Sequence, residues 1–509
     1  MYRKPLVFIL LCLLFISGYS QQQYNVSTLA GDTSGISQGG VGINTGFADG
    51  AGGSALFNSP TGIAIDTAGN NLYIADTYNN VIRKVNISTG MVTTIAGDTT
   101  NLSLYSGTDS NLGYVNGNPF AAKFNTPWGV CVDDTGNVYV ADTYNNVIRK
   151  IWASTGKVTT YAGRDSSGVT FQGYINGDVS VAEFYQPLSL TIDTSGNIYV
   201  TDNGNNAIRE IWASTHLVTT IAGRGSDTAG YINGPIDTAE FYSLYGITLG
   251  HGGSVFVSQY ANGYNAVRRL YHDTVTTYSG FDFVGFDTSA LYYGSIPNGY
   301  QNGYQNGYGL DTNSLGDTII VGGVLYNDPA GLAFDTSGDL LVVDEYNNVI
   351  RKVTTSDSLI STLAGNDSIG FRNGAYNTAE FYNPIGIVAD KKGNLYVTDL
   401  GNNAIREITP QGVLGINTIK KPLTTVSAYP NPSNGIFTVA FSHPELVSGS
   451  QTTIDVYNII GEQVYDGMLK QVQHDNTLDL SNQPSGVYLY RVITQDGNLV
   501  GEGKIIVQR

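Results

Sequence analysis

The feature that most constrains this chain is a phrase that keeps returning along it. SPTGIAIDTAGNNLYIADTYNNVIRKVNISTGMVTTIAGD runs from Ser59 to Asp98. It comes back as TPWGVCVDDTGNVYVADTYNNVIRKIWASTGKVTTYAGR from Thr126 and as QPLSLTIDTSGNIYVTDNGNNAIREIWASTHLVTTIAGR from Gln186, with further copies starting near Ser243, Asp328 and Asn383. A period of tens of residues marks a unit that cannot bury its apolar surface alone and must stack on its neighbours. Each copy holds four short runs rich in Val, Ile, Tyr and Thr; in the first they are Gly62 to Ile65, Leu72 to Ala75, Val81 to Val85 and Val92 to Ala96. The turn phrases D-x-x-G-N, D-T-Y-N-N and S-T-G separate them, which is the pattern of an antiparallel four-stranded sheet. No helical period lies between the units. Six such sheets are best satisfied by a ring in which each buries both faces against its neighbours, so the expected fold is all-β, a six-bladed β-propeller.

The sixth copy tests closure. It runs out after Ile408 and Gln411 to Leu414 without the Thr-Ile-Ala-Gly strand of the others, while Asn25 to Gly31 near the N-terminus reads NVSTLAG. Pairing this segment into the last sheet removes an exposed edge and locks the ring without a covalent bond.

Composition agrees with a turn-rich β protein. Glycine supplies 63 of 509 residues and charged residues only 13%, which excludes a long-helix protein, while 35 Tyr and 41% hydrophobic residues argue against disorder. The net charge of −17 repels phosphate backbones, so no nucleic-acid partner is expected.

Residues 1–20 read as an export signal: Arg3 and Lys4, an apolar run from Leu6 to Ile16, then small residues Gly18 and Ser20. The apolar run is too short to span a bilayer, and no later segment approaches the required length, so no transmembrane segment is expected. Cys12 lies inside the signal, leaving Cys131 alone and unable to form an internal disulfide. Cys131 stands where the first copy has Ala64, in an apolar strand, and reads as a small buried hydrophobe.

The copies resemble NHL repeats, whose blades carry an N-P-x-G-I-A-V-D start and a Y-V-A-D-x-x-N-x-R-I centre. The resemblance covers residues 24–416 and rests on pairs seven apart: Asp76 and Arg83, Asp142 and Arg149, Asp202 and Arg209, Asp344 and Arg351, Asp399 and Arg406. A repeated Asp and Arg reads as a structural tie between strands and neighbouring blades. The fourth copy departs, with Leu244 for the starting Pro, Gln259 for Asp, and Gly263 and Tyr264 inserted before Arg268.

After a linker at 417–427 the sequence changes character. Tyr429-Pro430-Asn431-Pro432, Gly435, Asp479-Leu480-Ser481, Pro484 to Tyr488 and Gly503 to Val507 resemble the type A sorting domain of the type IX secretion system. Residues 428–509 hold about seven short strands, which suits a small Ig-like β-sandwich. The resemblance implies a Bacteroidetes-type cell, contact with the type IX machinery, and delivery through the periplasm to the cell surface or the medium.

The residues give no catalytic set. D-x-x-G-N turns such as Asp66 to Asn70 are what tight hairpins require, and they lack the bidentate Glu of a calcium loop. His216, His251 and His272 all fall at turns on separate blades, so a catalytic zinc is not expected. No cofactor or metal is assigned, although calcium in the central channel of a lactonase-like or lyase-like hydrolase remains as the alternative. Five blade connections place Gly and Phe seven apart, as in Gly50 and Phe57, which reads as a plug under each loop. The connection from Gly280 to Pro329 is far longer, at 49 residues, and contains PNGYQNGYQNGYG. Long loops on a rigid scaffold carry binding, and Tyr300, Tyr304 and Tyr308 with Tyr78, Tyr144 and Tyr346 are the candidate surface for a protein or glycan. The expectation is an exported, monomeric, non-enzymatic binding scaffold.

Overall fold

The computed structural model describes residues 23–32, 34, 44–100, 111–166, 168–225, 229–260, 265–280, 307–308, 311–312, 318–319, 326–355, 359–411, 426–441, 452–458, 463–469, 476–494 and 499–509. The chain divides into two compact units, Met1–Gln411 and Gly412–Arg509.

In the first unit every repeat becomes an antiparallel meander. The first holds Pro60–Ile65, Asn71–Asp76, Val81–Asn86 and Val92–Ala96 in that order, and the second Pro127–Val132, Val138–Asp142, Val147–Ile151 and Val158–Ala162. The third, fourth and fifth start at Pro187, Leu244 and Pro329. The sixth comprises Pro384–Ala389, Leu395–Asp399 and Ala404–Pro410, and its outer position is taken by Tyr24–Ala30. Val26 pairs with Ile408 on one side and Gly374 on the other, matching the bridge from Val92 to Gly50 in the first sheet. The N-terminal strand thus occupies the place of a fourth strand.

Alternation sets the packing. Ile74, Val85 and Val92 are fully buried, and so are their counterparts Val140 and Val158. The first strands of successive repeats pack backbone to backbone: a Cβ on Gly62 would collide with the carbonyl of Trp128, and one on Gly386 would lie 2.5 Å from Thr61 O. Thr398 Oγ1 donates to that same Thr61 carbonyl at 2.5 Å, joining the sixth repeat to the first.

In the first, second, third, fifth and sixth repeats the turn after the second strand is a short 3₁₀ turn ended by a left-handed Asn, such as Asn80 at φ 54°. Asn tolerates this region because its short polar side chain bonds locally. Here its side chain also reaches the next repeat: Asn80 Oδ1 accepts from Thr126 N at 2.8 Å, Asn146 from Gln186 N at 2.8 Å and Asn403 from Ser59 N at 2.8 Å.

The second unit is two antiparallel sheets. One orders Val426–Tyr429, Ile436–Phe441 and Asn476–Asp479; the other orders Gln463–Leu469, Thr452–Tyr457, Gly486–Thr494 and Leu499–Val507. Phe437, Val439 and Leu478 from the first share one apolar core with Ile454, Tyr490 and Ile505 from the second. The first strand begins at Val426, inside the stretch expected as linker; residues 412–425 lie outside the described residues, as does the expected signal. No helix among the described residues is long and apolar enough to cross a membrane.

Candidate functional site

The repeated Asp and Arg are buried in the sheets. Arg83 Nη1 donates to Asp76 Oδ2 at 2.6 Å and to Leu56 O at 2.9 Å, while Nη2 reaches Ala48 O at 2.7 Å and Asp49 Oδ1 at 2.8 Å. Its guanidinium carbon lies 4.9 Å from the centre of the Phe57 ring. The arginine therefore ties the connection at 48–57 to its own sheet, and Phe57 fills the space beneath that loop. Arg149, Arg209 and Arg406 bond Asp142, Asp202 and Asp399 in the same way at 2.5–2.6 Å, and Arg351 reaches Asp344 through Nε at 2.8 Å. In the fourth repeat Gln259 Oε1 accepts from Arg268 at 2.8 Å, so the amide keeps the hydrogen bond while the charge is lost. Burial pushes the Asp76 carboxyl above its usual range, against the pull of Arg83, Asn58 N and the Asn79 amide.

The links between neighbouring repeats fall to other residues. Thr77 Oγ1 donates to Pro127 O at 2.8 Å, Thr143 Oγ1 to Pro187 O at 2.9 Å and Asn203 Nδ2 to Leu244 O at 2.8 Å, beside the Asn links given above. Sequence reasoning passed over these residues, although the doubled Asn of every N-N turn was the signal.

Tyr78, Tyr144 and Tyr346 sit on equivalent 3₁₀ turns and are 59%, 55% and 51% exposed. Each turn leans on the residue after the buried aromatic: Tyr78 N donates to Asn58 O at 3.1 Å, and Tyr144 N to Asn125 O at 3.1 Å. The third and sixth repeats exchange the partners. There Gly204 and Gly401 occupy the turn, donating to Tyr185 O and Tyr382 O at 2.8 Å, and the two tyrosine rings cover the space a Cβ would take. In the fourth, Tyr242 holds the same place and is exposed. Every repeat thus contributes one Tyr to this face from one of two positions, and Tyr185, Tyr242 and Tyr382 join the expected set. Tyr300 and Tyr304 lie outside the described residues; of Tyr308 only the backbone is described, paired with Leu359.

The first strands line a central channel of about 300 Å³. Its lining holds no carboxylate or imidazole, and its one thiol, Cys131, is buried, with burial raising its pKa. On the tyrosine face the mouth is framed by Trp128 and Tyr245, centroids 6.3 Å apart at 87°, and by Tyr260, 6.5 Å from Tyr245 at 87°. Beside them stand Asp328 and Glu345, each only 8% exposed. Burial pushes the Asp328 carboxyl up to about 7, with Asp344 adding to the effect; burial pushes Glu345 up to about 8, with Asp328 adding to it. His216, His251 and His272 are exposed at separate turns, and among the described residues no group of three or more His, Cys, Asp or Glu side chains is arranged to hold a metal ion.

The NHL repeat family matches residues 57–84, 124–151, 184–211 and 381–408, and the secretion system C-terminal sorting domain family matches 427–508. The chain carries NHL repeats and a C-terminal type IX sorting domain. The matched NHL ranges leave out the fourth and fifth repeats, where Gln259, Asp328 and Glu345 depart from the pattern. The sorting domain marks this NHL protein for export through the type IX system, to the cell surface or the medium. Among curated proteins it is 27% identical over 353 residues to Protein SUPPRESSOR OF QUENCHING 1, chloroplastic, of Arabidopsis thaliana, covering 69% of this chain and 30% of that one. It is 30% identical over 189 residues to human NHL repeat-containing protein 2, covering 36% of this chain and 24% of that one. The chain thus spans less than a third of the length of these relatives. A solved Bacteroides thetaiotaomicron protein of unknown function aligns with a TM-score of 0.50 at 17% identity over 76% of each chain, a likeness of fold.

Proposed function

We propose that this protein is an exported binding scaffold: a six-bladed ring, sealed by Tyr24–Ala30, that offers its tyrosine face to a protein or glycan outside the cell. In this reading residues 1–20 are removed on export and residues 428–509 engage the secretion machinery. The observation that carries it is the Tyr supplied by every repeat to one face, exposed at Tyr78, Tyr144, Tyr242 and Tyr346. Tyr presents a large rigid surface at low entropic cost together with a hydroxyl that finds varied partners.

The rival, a hydrolase with calcium in the channel, is disfavoured by the channel itself. Calcium takes six to eight oxygen ligands with carboxylates prominent, whereas the lining holds no Asp, Glu, Asn or Gln and is mostly Gly, Ala, Val, Ile and Leu, with hydroxyls at Ser189, Thr191, Thr248 and Tyr245. The test is a glycan and protein array probed with the full chain and with Y78A/Y144A/Y346A. Ligands retained by the first and lost by the second support the scaffold. Stoichiometric, tightly held calcium with turnover of a lactone would overturn it.

A further inference from the structure

We propose that the channel mouth beside the fourth and fifth repeats binds an organic ammonium group, held between the carboxylates of Asp328 and Glu345 and the rings of Trp128, Tyr245, Tyr260 and Tyr346. This rests on the scaffold reading and names the ligand chemistry of one part of its face.

The argument starts from two buried acids that the fold does not need. Position 328 is Ser59, Thr126, Gln186, Ser243 or Asn383 in the other repeats, all neutral. Position 345 corresponds to Thr77, Thr143 and Asn203, each of which donates a hydrogen bond to the carbonyl that opens the next repeat. An ionised Glu345 cannot donate. The fifth repeat therefore exchanges that donated bond for one accepted from Asn383 of the next repeat, at 3.3 Å, and, unlike the sixth repeat with its apolar Leu400, it places an acid there, the kind of local inconsistency that marks a functional position.

Among the described residues no cationic side chain pairs with that charge. Asp344, a few residues away, is matched by Arg351 at 2.8 Å and by Asn347 at 2.9 Å. Among the described residues, Glu345 accepts only from Asn383 Nδ2, at 3.3 Å, and the carboxyl oxygens of Asp328 have no donor. No Lys, Arg or His among the described residues contributes to the electrostatics of either group. A buried carboxylate without a counter-ion is expensive.

The surroundings specify what would supply the missing charge. Tyr245 stands edge-on between Trp128 and Tyr260, so the rings meet at right angles and wall the mouth. Asp328 and Glu345 are close enough to both Tyr245 and Tyr346 to raise their hydroxyl pKa values, which places acids and rings around one space. Aromatic faces attract cations, the more strongly when the contact is desolvated. A neutral sugar could accept the rings but would leave the charge unmatched. An inorganic divalent ion would gain nothing from the rings and would find two carboxylates where it takes six or more oxygens. An ammonium group satisfies both features.

The experiment is calorimetric titration of the full chain with choline, with its neutral carbon analogue 3,3-dimethyl-1-butanol, and with an N-acetylated lysine peptide. Choline and the peptide distinguish a free small cation from a lysine side chain. We expect one of the two to bind at least about tenfold more tightly than the neutral analogue, and D328N/E345Q to lose that binding by about tenfold or more. Y245L should weaken it severalfold, with quenching of Trp fluorescence lost in parallel. Both variants should keep the thermal unfolding transition, since neutral side chains already stand at these positions in other repeats. Equal affinity for choline and its neutral analogue, no binding of either cation, undiminished binding by D328N/E345Q, or displacement of choline by calcium would each overturn the inference. Array ligands that survive D328N/E345Q but not Y78A/Y144A/Y346A would leave the scaffold standing while this site falls.

Discussion

Arg83 and Asp76 meet at 2.6 Å with both side chains wholly removed from solvent, and the guanidinium spends its remaining donors on the loop that leads into its own sheet. The pair is a rivet between a surface connection and the sheet beneath it. Removing one partner leaves the other charged and buried, which costs about 3–5 kcal/mol. D142A should therefore lower the denaturant midpoint steeply. D142N should lower it much less, because Gln259 already holds Arg268 through an amide in the fourth repeat. Chemical unfolding of the two variants, compared with the parent, decides this.

The N-terminal strand is the second point of leverage. Val26 is fully buried between Ile408 and Gly374, and Thr28 Oγ1 lies 3.2 Å from the Asn373 side chain. Placing a charge at Val26 buries it without a partner, and undocking the strand exposes the edge of Ala404–Pro410. V26D should destabilise the propeller by several kcal/mol and should drive concentration-dependent association, seen by light scattering, with fast hydrogen exchange along 404–410.

Much of this was legible in the chain. The repeat period fixed strand number and order, and the Asp and Arg seven apart marked positions that meet across adjacent strands, as Asp76 and Arg83 do. Exchange between Tyr78 and Tyr185 was not legible, because it depends on which two residues face each other across a turn, one of them 20 positions upstream. Asp328 and Glu345 were hidden for a different reason. An acid in a turn reads as solvated, and only the depth of this mouth, under Tyr245 and Tyr260, makes it buried. The Asn-Asn pairs stood in plain view, but their role needed the neighbouring repeat in place.

Acid burial has a pH signature. Asp328 and Glu345 titrate at about 7 and about 8 in the fold, against values near 4 in an unfolded chain. Groups raised in this way stabilise the fold fully below about pH 4, and the contribution is lost as pH rises through 7 and 8. The groups that face them are Tyr245, Tyr260 and Tyr346, the Asn383 amide, and Asp344 with its partner Arg351. Melting temperature should therefore drop between about pH 4 and pH 8 and level off above, and D328N/E345Q should flatten that slope and melt higher than the parent at pH 9. A bound cation favours the ionised pair, so affinity for choline, which does not titrate, should rise over the same interval with release of protons.

The sorting unit has an apolar core of its own, with Phe437, Leu478 and Ile505 buried at its centre. Replacing a buried Phe with Ala typically costs about 3–5 kcal/mol, which is comparable to the whole stability of a domain of about 80 residues. F437A should abolish the unfolding transition of residues 428–509 while leaving that of the propeller in place, because no residue of the propeller core is touched. If the folded sandwich is what the secretion machinery recognises, F437A should accumulate in the periplasm to the same extent as a chain truncated after residue 427. Secretion of F437A at the parental level, with the truncated chain retained, would show instead that a linear stretch of the tail suffices.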